Sequence, residues 1–399
     1  MELKKLSELK VSELWAEIKT TEEDVWGDLK VEAQVFLKRI LQGAMEDEVM
    51  DHIGISRHYE RTEERKTQRN GYYKRDLETE LGLIRELPVP RTRDGSYSPG
   101  VFQRYQRRKN VVNTAIKDIF LAGVSTRRVG EVLRPLIGSS PSASTVSQVV
   151  KSLDREVRAF HRRKISDDYR YLFFDGLTVR LKTALGVRKR LLLVAYGIRE
   201  NGCKELIEFR QAQSESEEEW ESLLNDLYRR GLEGHRLDLI ITDGAPGLHA
   251  ACDMVYPYTP RQRCWVHKIR NIAAKLSRKV QGECLLGAKR IYMADSRKEA
   301  IQRYWEWAHR WREEQPRAVE CLEKDLDELL AFFRFPKDHR RKIRTTNAIE
   351  RSFREIRRRI RPMSCFTNQE SCERIIYALF YYQNKKWEHA PIRNFTQNS

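Results

Sequence analysis

Three carboxylates that lie beside apolar residues constrain this chain more than any other feature. Asp175 lies in YRYLFFDGLTVRLK, Asp243 follows the strand-like run in LDLIITDG, and Glu350 lies in RTTNAIERSFREIRRRI. An ionised carboxylate among large apolar side chains is costly to desolvate unless a cation or a hydrogen-bond donor compensates it. Mg²⁺ provides such compensation because it takes oxygen ligands, and two divalent ions can clamp a phosphodiester during displacement. The three segments therefore favour a metal-dependent phosphoryl-transfer enzyme.

The charge balance indicates a polyanionic partner. The 399 residues contain 75 Lys and Arg against 58 Asp and Glu, which leaves a net charge of +17. A basic surface can serve solubility alone, but here the cations cluster in RYQRRKN, REVRAFHRRK, KDHRRKIRTTN and RRRIRPM, the last two around Glu350. Clustered Lys and Arg are the electrostatic footprint of nucleic-acid binding. We therefore expect DNA as the partner.

The same composition argues against a membrane or an oxidising compartment. No apolar run approaches the roughly 18 residues that a membrane span needs, and the mixed-charge start MELKKLSELKVSELW is unlike a signal peptide. The seven cysteines are scattered and include no CxxC pair, so reduced thiols are expected. We expect a cytoplasmic, nucleoid-associated protein with no membrane partner.

The N-terminal part is predicted to be mainly helical and to bind DNA. Residues 1–53 carry apolar side chains at helical spacing, which predicts two or three helices. Residues 54–104 are rich in Arg, Gly and Pro and are predicted to form a basic, loop-rich connector with one short strand at residues 83–89. This connector either is solvated or lies along a phosphate backbone.

Residues 105–165 are predicted to contain a helix-turn-helix-like element. A helix ends near Gly123, Ser125 is placed to cap TRRVGEVLRPLIG, and a further helix follows the turn SSPSAS. The second helix of such an element sits in the major groove of DNA, although the same pattern occurs in ordinary helical bundles. Arg127 and Arg128 are candidate DNA contacts in this region.

Residues 166–275 have the element order of a ribonuclease-H-like core. Three β-rich runs are followed by a helix, the strand before Asp243, a helix, a short strand around RQRCWVH and a further helix. In that fold the first and fourth strands are neighbours, so Asp175 and Asp243 should converge at their ends. Taken alone, each Asp-Gly pair could instead form a turn. Asp167, Asp168, Asp238 and Asp253 suit the site less, because they lie in linkers, at a strand start or inside a helix.

The rest of the chain is predicted to complete that core after an interruption. Residues 276–342 are a helical, Trp-rich insertion, and residues 343–399 contain the Glu350 helix and a C-terminal helix. Three tryptophans at helical spacing in the insertion could stack on an unpaired base, but such spacing is more typical of core residues; they are Trp305, Trp307 and Trp311. The predicted fold class is α+β or α/β, with a ribonuclease-H-like core of the DDE type.

The helix that carries Glu350 predicts a row of phosphate contacts. An apolar stripe should face the core, and its members are Ile349, Phe353, Ile356 and Ile360. Glu350 borders the stripe and shares one helical line with Arg354, Arg357 and Arg361; Arg351 and Arg358 are further candidate DNA contacts. The alternative is an ordinary exposed pair between Glu350 and Arg354.

Seven motifs, in order, resemble those of the Mutator-type transposases of bacterial insertion sequences. They are LPVPRTRDGSYSP, RYQRRKN, LAGVSTRRVGEVL, FFDGLTVR, ITDGAPGLHAA, RQRCWVHKIRNI and RTTNAIERSFREIRRRIRPM. Asp243 follows Asp175 by 68 residues, and Glu350 follows Asp243 by 107. These spacings resemble the acidic triad of that family, with a helical insertion before the glutamate.

The resemblance implies a function and roles for particular residues. It places Asp175, Asp243 and Glu350 in a catalytic site that binds two Mg²⁺ (or Mn²⁺) ions. Cys264 and His267 match the family's Cys-x-x-His signature, for which a supporting role, DNA contact and a zinc half-site all remain open. The chain is expected to bind the terminal inverted repeats of its element, to cleave and join DNA strands, and to act as a homodimer or larger assembly. A regulatory DNA-binding protein and a structure-selective nuclease are the alternatives.

Overall fold

The computed structural model describes residues 22–55, 66–101, 108–361 and 364–392. They belong to two compact units, Met1–Ser152 and Leu153–Ser399. None of the helices in the described ranges is long and apolar enough to cross a membrane.

The first unit contains four helices and a β-hairpin in its described residues. The elements are α1 (Glu22–Ile53), β1 (Arg69–Thr79), β2 (Gly82–Thr92), α2 (Asn110–Leu121), α3 (Thr126–Ile137) and α4 (Ala143–Val150). The predicted N-terminal helices are represented by the single long helix α1, and residues 1–21 lie outside the described residues.

The prediction of a loop-rich connector is wrong for the part of residues 54–104 that the structure describes. Strands β1 and β2 pair antiparallel, from Arg69 opposite Thr92 to Thr79 opposite Gly82. Their buried apolar side chains, which include Leu77 and Leu87, pack with Met45 of α1. The hairpin is thus stabilised by a helix distant in sequence, a contact that the local abundance of Arg, Gly and Pro does not reveal.

Helices α2, α3 and α4 pack together in the region for which a helix-turn-helix-like element is predicted. Each buries an apolar stripe, and Ser142 caps α4 by accepting a hydrogen bond from the Thr145 amide. Gly130 lets the turn before α4 approach α3, since a Cβ there would lie 2.5 Å from the Pro141 carbonyl oxygen. Arg127 and Arg128 are exposed in the first turn of α3.

The predicted last helix of that region is interrupted, and its second half belongs to the other unit. Helix α4 ends at Val150, and α5 (Leu153–Arg162) begins after the break at Ser152. Phe160 of α5 packs against Phe209 and Phe380 of the second unit. The boundary predicted at residue 165 is therefore placed too late, because the apolar period of the sequence continues across the break.

The second unit is built on a mixed five-stranded sheet. Its strands are β3 (Tyr169–Thr183), β4 (Gly186–Arg199), β5 (Lys204–Ala212), β6 (Leu239–Thr242) and β7 (Arg261–Arg263), in the order β5-β4-β3-β6-β7. Strands β3, β4 and β5 form the predicted antiparallel meander, whereas β6 is parallel to β3 and β7 is parallel to β6. The predicted adjacency of the first and fourth strands is confirmed.

Side chains of β3 alternate between the two faces of this sheet. Leu172 and Phe174 pack in the cluster with Trp220 of α6 (Glu217–Arg229), to which α7 (Pro246–Val255) also contributes. Tyr171 and Phe173 lie on the opposite face, where Tyr171 shares a 2.7 Å hydrogen bond with His339. Asp175 follows on this second face. The alternation therefore directs its carboxylate toward the helices that follow the insertion.

The predicted insertion is helical. After α8 (Trp265–Ala273) come α9 (Arg278–Tyr292), α10 (Arg297–Trp311), α11 (Pro316–Glu323), α12 (Leu326–Leu329), a 3₁₀ helix (Ala331–Arg334) and α13 (Lys337–Ile343). The chain then forms α14 (Asn347–Ile360) and α15 (Gln369–Trp387). Trp307 and Trp311 are buried in the core, as their spacing favours, whereas Trp305 is 57% exposed.

Candidate active site

Asp175 lies in the middle of β3, beyond the point where its parallel neighbour stops. Strand β6 pairs with β3 only as far as Phe173, while β3 continues to Thr183. Asp175 itself pairs with Val194 of β4, which excludes the turn that the Asp-Gly sequence could form. The prediction that Asp175 ends its strand is therefore wrong. Because β6 is short, the part of β3 that contains Asp175 is not paired with β6.

Asp243 follows directly on β6 and begins the connection to α7. Its Oδ1 accepts a 2.9 Å hydrogen bond from the Ala245 amide. Gly244 has a φ of +92°, a conformation that favours glycine. Asp243 thus takes part in a turn, and it also lies near enough to influence the charge of Asp175.

Glu350 reaches the same place from the first turn of α14. The helix is anchored by the predicted apolar stripe, of which Ile349, Phe353 and Ile356 are fully buried. Glu350 Oε1 lies 3.2 Å from Arg270 Nη1 and 3.7 Å from His267 Nε2, both on α8. The carboxylate is therefore held against two nitrogen-bearing side chains of α8.

Asp175, Glu350 and the two α8 side chains line one cavity of about 520 Å³, whereas Asp243 lies outside its wall. Acidic, basic and amide side chains form most of its wall, which consists of Asp175, Gly176, His267, Arg270, Asn347, Glu350, Arg351, Phe353, Arg354 and Arg357. Such a wall suits a charged, polar ligand, and its arginines suit phosphate oxygens.

Asp175 is a buried carboxylate whose acidic neighbours are balanced only in part by the cation His267. Burial raises the pKa of Asp175 to about 7, and the charges of Asp243 and, less strongly, Glu350 act in the same direction. Only His267 and the Gly176 amide oppose the shift. A buried carboxylate with like charges nearby is destabilised unless a cation joins it.

His267 forms a pair with Cys264, the residue that caps the start of α8. Hydrogen bonding with Cys264 raises the pKa of His267 to about 9, and the charges of Asp175 and Asp243 add to this rise against the effect of burial. The Cys264 sulfur also accepts hydrogen bonds from the Thr346 amide at 3.2 Å and the Thr346 hydroxyl at 3.3 Å. The Cys-x-x-His signature therefore joins the start of α8 to the start of α14.

The carboxylates of the site could hold a metal only after some rearrangement of their side chains. Within the described ranges, no three or more His, Cys, Asp or Glu side chains are already drawn together as a metal site. The donor set nevertheless fits hard divalent ions, since Asp175, Asp243 and Glu350 offer carboxylate oxygens, and the raised pKa of Asp175 indicates that its negative charge is not fully compensated.

Two side chains at this site were not identified from the sequence. Arg270 contacts Glu350, and Glu215, which precedes α6, lies against Gly176 so closely that any Cβ there would collide with its carboxylate. Burial and the charge of Asp243 raise the pKa of Glu215. Several acids crowd the segment QSESEEEW, so nothing singled out Glu215. A glycine inside a long strand, however, often marks a close approach, and Gly176 is such a signal.

The four aspartates judged less suitable have structural partners instead. Asp168 accepts two hydrogen bonds from Arg199, at 2.6 and 2.8 Å, and Asp238 pairs with Arg170 at 2.7 Å. Asp253 pairs with Arg261, and Asp167 accepts a 2.7 Å hydrogen bond from the Gly234 amide. Their charges are therefore compensated within the protein, in contrast to that of Asp175.

The arginines after Glu350 are not equivalent. Arg351, Arg354 and Arg357 line the cavity, whereas Arg358 pairs with Glu355 at 2.9 Å, and neither Arg358 nor Arg361 is part of the wall. Arg361 shares the helical line of Glu350, but eleven residues at about 1.5 Å each place it roughly 16 Å farther along the axis. The cavity wall thus includes only the part of the row nearest to Glu350.

Known proteins similar to this chain are transposases. The family described as "Transposase, Mutator family" matches residues 11–390. The transposase for insertion sequence element ISRM5 of Rhizobium meliloti (strain 1021) is 34% identical over 354 residues, covering 89% of this chain and 88% of that protein. The transposase for IS256 in transposon Tn4001 of Staphylococcus aureus is 33% identical over 354 residues, covering 88% of this chain and 90% of that protein.

One solved structure with a similar chain is the Drosophila P element transposase strand transfer complex. It has a TM-score of 0.32 and 15% identity, and the match covers 74% of this chain and 83% of that one.

Proposed function

Since the chain belongs to the Mutator family of transposases, we propose that Asp175, Asp243 and Glu350 form a DDE-type site that cleaves and joins DNA strands. The resemblance noted in the sequence is confirmed. The protein is an enzyme, a transposase of insertion sequence elements. The observation that carries the proposal is the buried Asp175 beside the charge of Asp243, in a cavity that Glu350 also lines.

We propose that the mixed sheet of the second unit is a ribonuclease-H-like core. Its antiparallel β3-β4-β5 meander is followed by parallel β6 and β7, which agrees with the strand order expected of that fold. Asp175 and Asp243 lie on the adjacent first and fourth strands or directly after them. Glu350 lies on a helix that follows the insertion.

In this proposal Asp175, Asp243 and Glu350 would together hold two Mg²⁺ (or Mn²⁺) ions. When bound, the ions activate a water molecule and stabilise the charge that develops on the phosphate. Arg354 and Arg357 bind phosphate oxygens beside the cleaved bond. Arg270 and His267, which contact Glu350 in the structure, would release it to a metal. The freed 3′-hydroxyl then attacks a second DNA strand.

The remaining parts of the chain are assigned by the same proposal. The first unit, with its helix-turn-helix-like cluster and the exposed Arg127 and Arg128, would recognise the terminal inverted repeats. Two element ends must be joined, so we propose a homodimer or larger assembly. DNA as the substrate places the protein at the nucleoid in the cytoplasm.

A strand-cleavage assay on duplexes with the terminal repeats of the element tests this function. Replacing Asp175 or Asp243 by Asn, or Glu350 by Gln, removes a metal ligand with little change in shape. Each change should reduce Mg²⁺-dependent cleavage at least about a hundredfold, while DNA binding is retained.

Asp253→Asn is the matched control, since Asp253 lies on the surface and pairs with Arg261 outside the cavity. It should cleave like the unchanged protein, and scrambled duplexes should not be cleaved. Full activity in any of the three site variants would remove that residue from the site.

A further inference from the structure

A second cavity, of about 950 Å³, adjoins the catalytic cavity along α14. It lies between α14, the end of α15 and the segment around α13, and the proposed chemistry does not use it. Asn347, Arg351 and Arg354 line both cavities, so the two are continuous along the first turns of α14. We call this second cavity the basic groove.

The basic groove concentrates positive charge. Seven cationic side chains line it. Besides Arg354, they are Lys204, Arg341, Lys342, Arg344, Arg351 and Lys386. Its acidic residue, Glu355, pairs with Arg358 outside the groove. Among the described residues, no carboxylate forms an ion pair with Lys204, Lys342 or Lys386. Such a set of cations is stabilised by a polyanion.

The mutual repulsion of these cations is visible at two of them. Burial lowers the pKa of Lys204, and the positive charges of Lys342 and Arg351 lower it further. Burial likewise lowers the pKa of Arg344, with a contribution from Arg341. A surface that served solubility alone would not gather its cations in a concave place where they destabilise one another.

An aromatic side chain also lines the basic groove. Trp387, the last residue of α15, is partly exposed there. Its ring meets Tyr196 at 5.9 Å and 90°, and Lys204 Nζ lies 5.1 Å from its centroid. The indole is therefore held in place by its neighbours while part of it faces the groove. Proteins that bind single strands combine a basic groove with such stacking residues.

We propose that the basic groove holds an unpaired DNA strand that continues into the catalytic cavity. Lys204, Lys342 and Lys386 contact its phosphates, and Trp387 stacks on one of its bases. That the strand is DNA rests on the proposed function. An unpaired strand is favoured over a duplex because a paired base has no free face to offer Trp387.

Binding measured without cleavage tests this proposal on the full chain. Fluorescence anisotropy in EDTA would compare a labelled single-stranded oligonucleotide with the terminal-repeat duplex. The double variant Lys342→Ala/Lys386→Ala should weaken single-strand binding at least about tenfold and reduce its salt slope by about 0.7 for each lost phosphate contact. Duplex affinity should change less than about twofold by the same reasoning.

Two further variants make the test specific. Trp387→Ala should weaken single-strand binding about fivefold or more, and Trp387→Phe should restore most of the loss because it keeps a stacking ring. Lys385→Ala is the matched control, since Lys385 is exposed on the same helix and does not line the groove. It should bind single strands like the unchanged protein.

Unchanged single-strand binding in the double variant would overturn the proposal, and so would an equal loss for duplex and single strand. The outcome does not depend on catalysis. If the unchanged protein fails to cleave DNA but the variants show these binding losses, the proposed function is refuted and the inference about the basic groove still holds.

Discussion

Asp175 is the residue at which burial and function conflict most clearly. Its carboxyl is 7% exposed, and its pKa is raised to about 7 by burial and by Asp243. A folded protein that keeps such a group without a nearby cation loses stability through it. This arrangement is typical of functional sites, where the cost is offset when the ligand binds.

The stability of the metal-free protein should therefore depend on pH through Asp175. The folded-state pKa of about 7 lies above the ordinary value of 3.8. The protonated carboxyl thus stabilises the fold at low pH, and this contribution is lost as the pH rises from about 4 to about 7. Asn does not titrate, so Asp175→Asn should have the higher thermal midpoint at pH 8, by about 2–4 °C per kcal/mol of relieved repulsion.

Thermal unfolding in EDTA at pH 5, 6.5 and 8 measures this difference. The gap between the variant and the unchanged protein should widen with pH, and Mg²⁺ should narrow it by stabilising only the unchanged protein. A gap that stays constant from pH 5 to pH 8 would contradict the account of Asp175.

At the scale of elements, α14 connects the catalytic cavity to the basic groove. Its buried stripe fixes the rotation of the helix, so that Glu350, Arg354 and Arg357 point into the catalytic cavity. Cys264 fixes the position of its first turn through Thr346. The helix therefore sets both which arginines can reach a phosphate and how far the row extends.

The arginines of α14 should differ in their effect on cleavage. Arg357→Ala removes a cation from the cavity wall and should reduce cleavage about tenfold or more. Arg361→Ala is the matched control, since Arg361 shares the helical line but lies outside the wall; its effect should be about twofold or less. Cleavage rates at one salt concentration provide the comparison. Equal effects would mean that helical phase alone governs DNA contact.

The sequence allowed α14 to be predicted well because its signals are local. The apolar stripe and the cations follow the helical period, and Ile349, Phe353 and Ile356 are buried as expected. Features that depend on contacts between residues distant in sequence were not predicted. The β1-β2 hairpin needs Met45 of α1 for its core, and the close approach of Glu215 to Gly176 depends on tertiary packing. That Arg361 lies outside the cavity wall could not be predicted either, because a helical pattern does not show where a cavity ends.

At the scale of the whole molecule, the chain separates into two compact units. The order of strands in the second unit was predictable, since each apolar run is bounded by polar or turn residues and β3 pairs with β6 as expected. The boundary between the units could not be predicted, because the helical spacing of apolar residues continues through the break at Ser152. In our account the first unit selects the DNA ends, and the second cleaves and joins them.

The central claim is that Asp243 holds a catalytic metal together with Asp175 and Glu350, and a change of metal preference tests it most directly. Mn²⁺ accepts a thiolate ligand more readily than Mg²⁺ does. Cleavage of terminal-repeat DNA by Asp243→Cys should therefore be lost in Mg²⁺ and partly restored in Mn²⁺, while the control Asp253→Cys cleaves in both. Full cleavage by Asp243→Cys in Mg²⁺ would contradict the account, because the side chain would then not be a metal ligand.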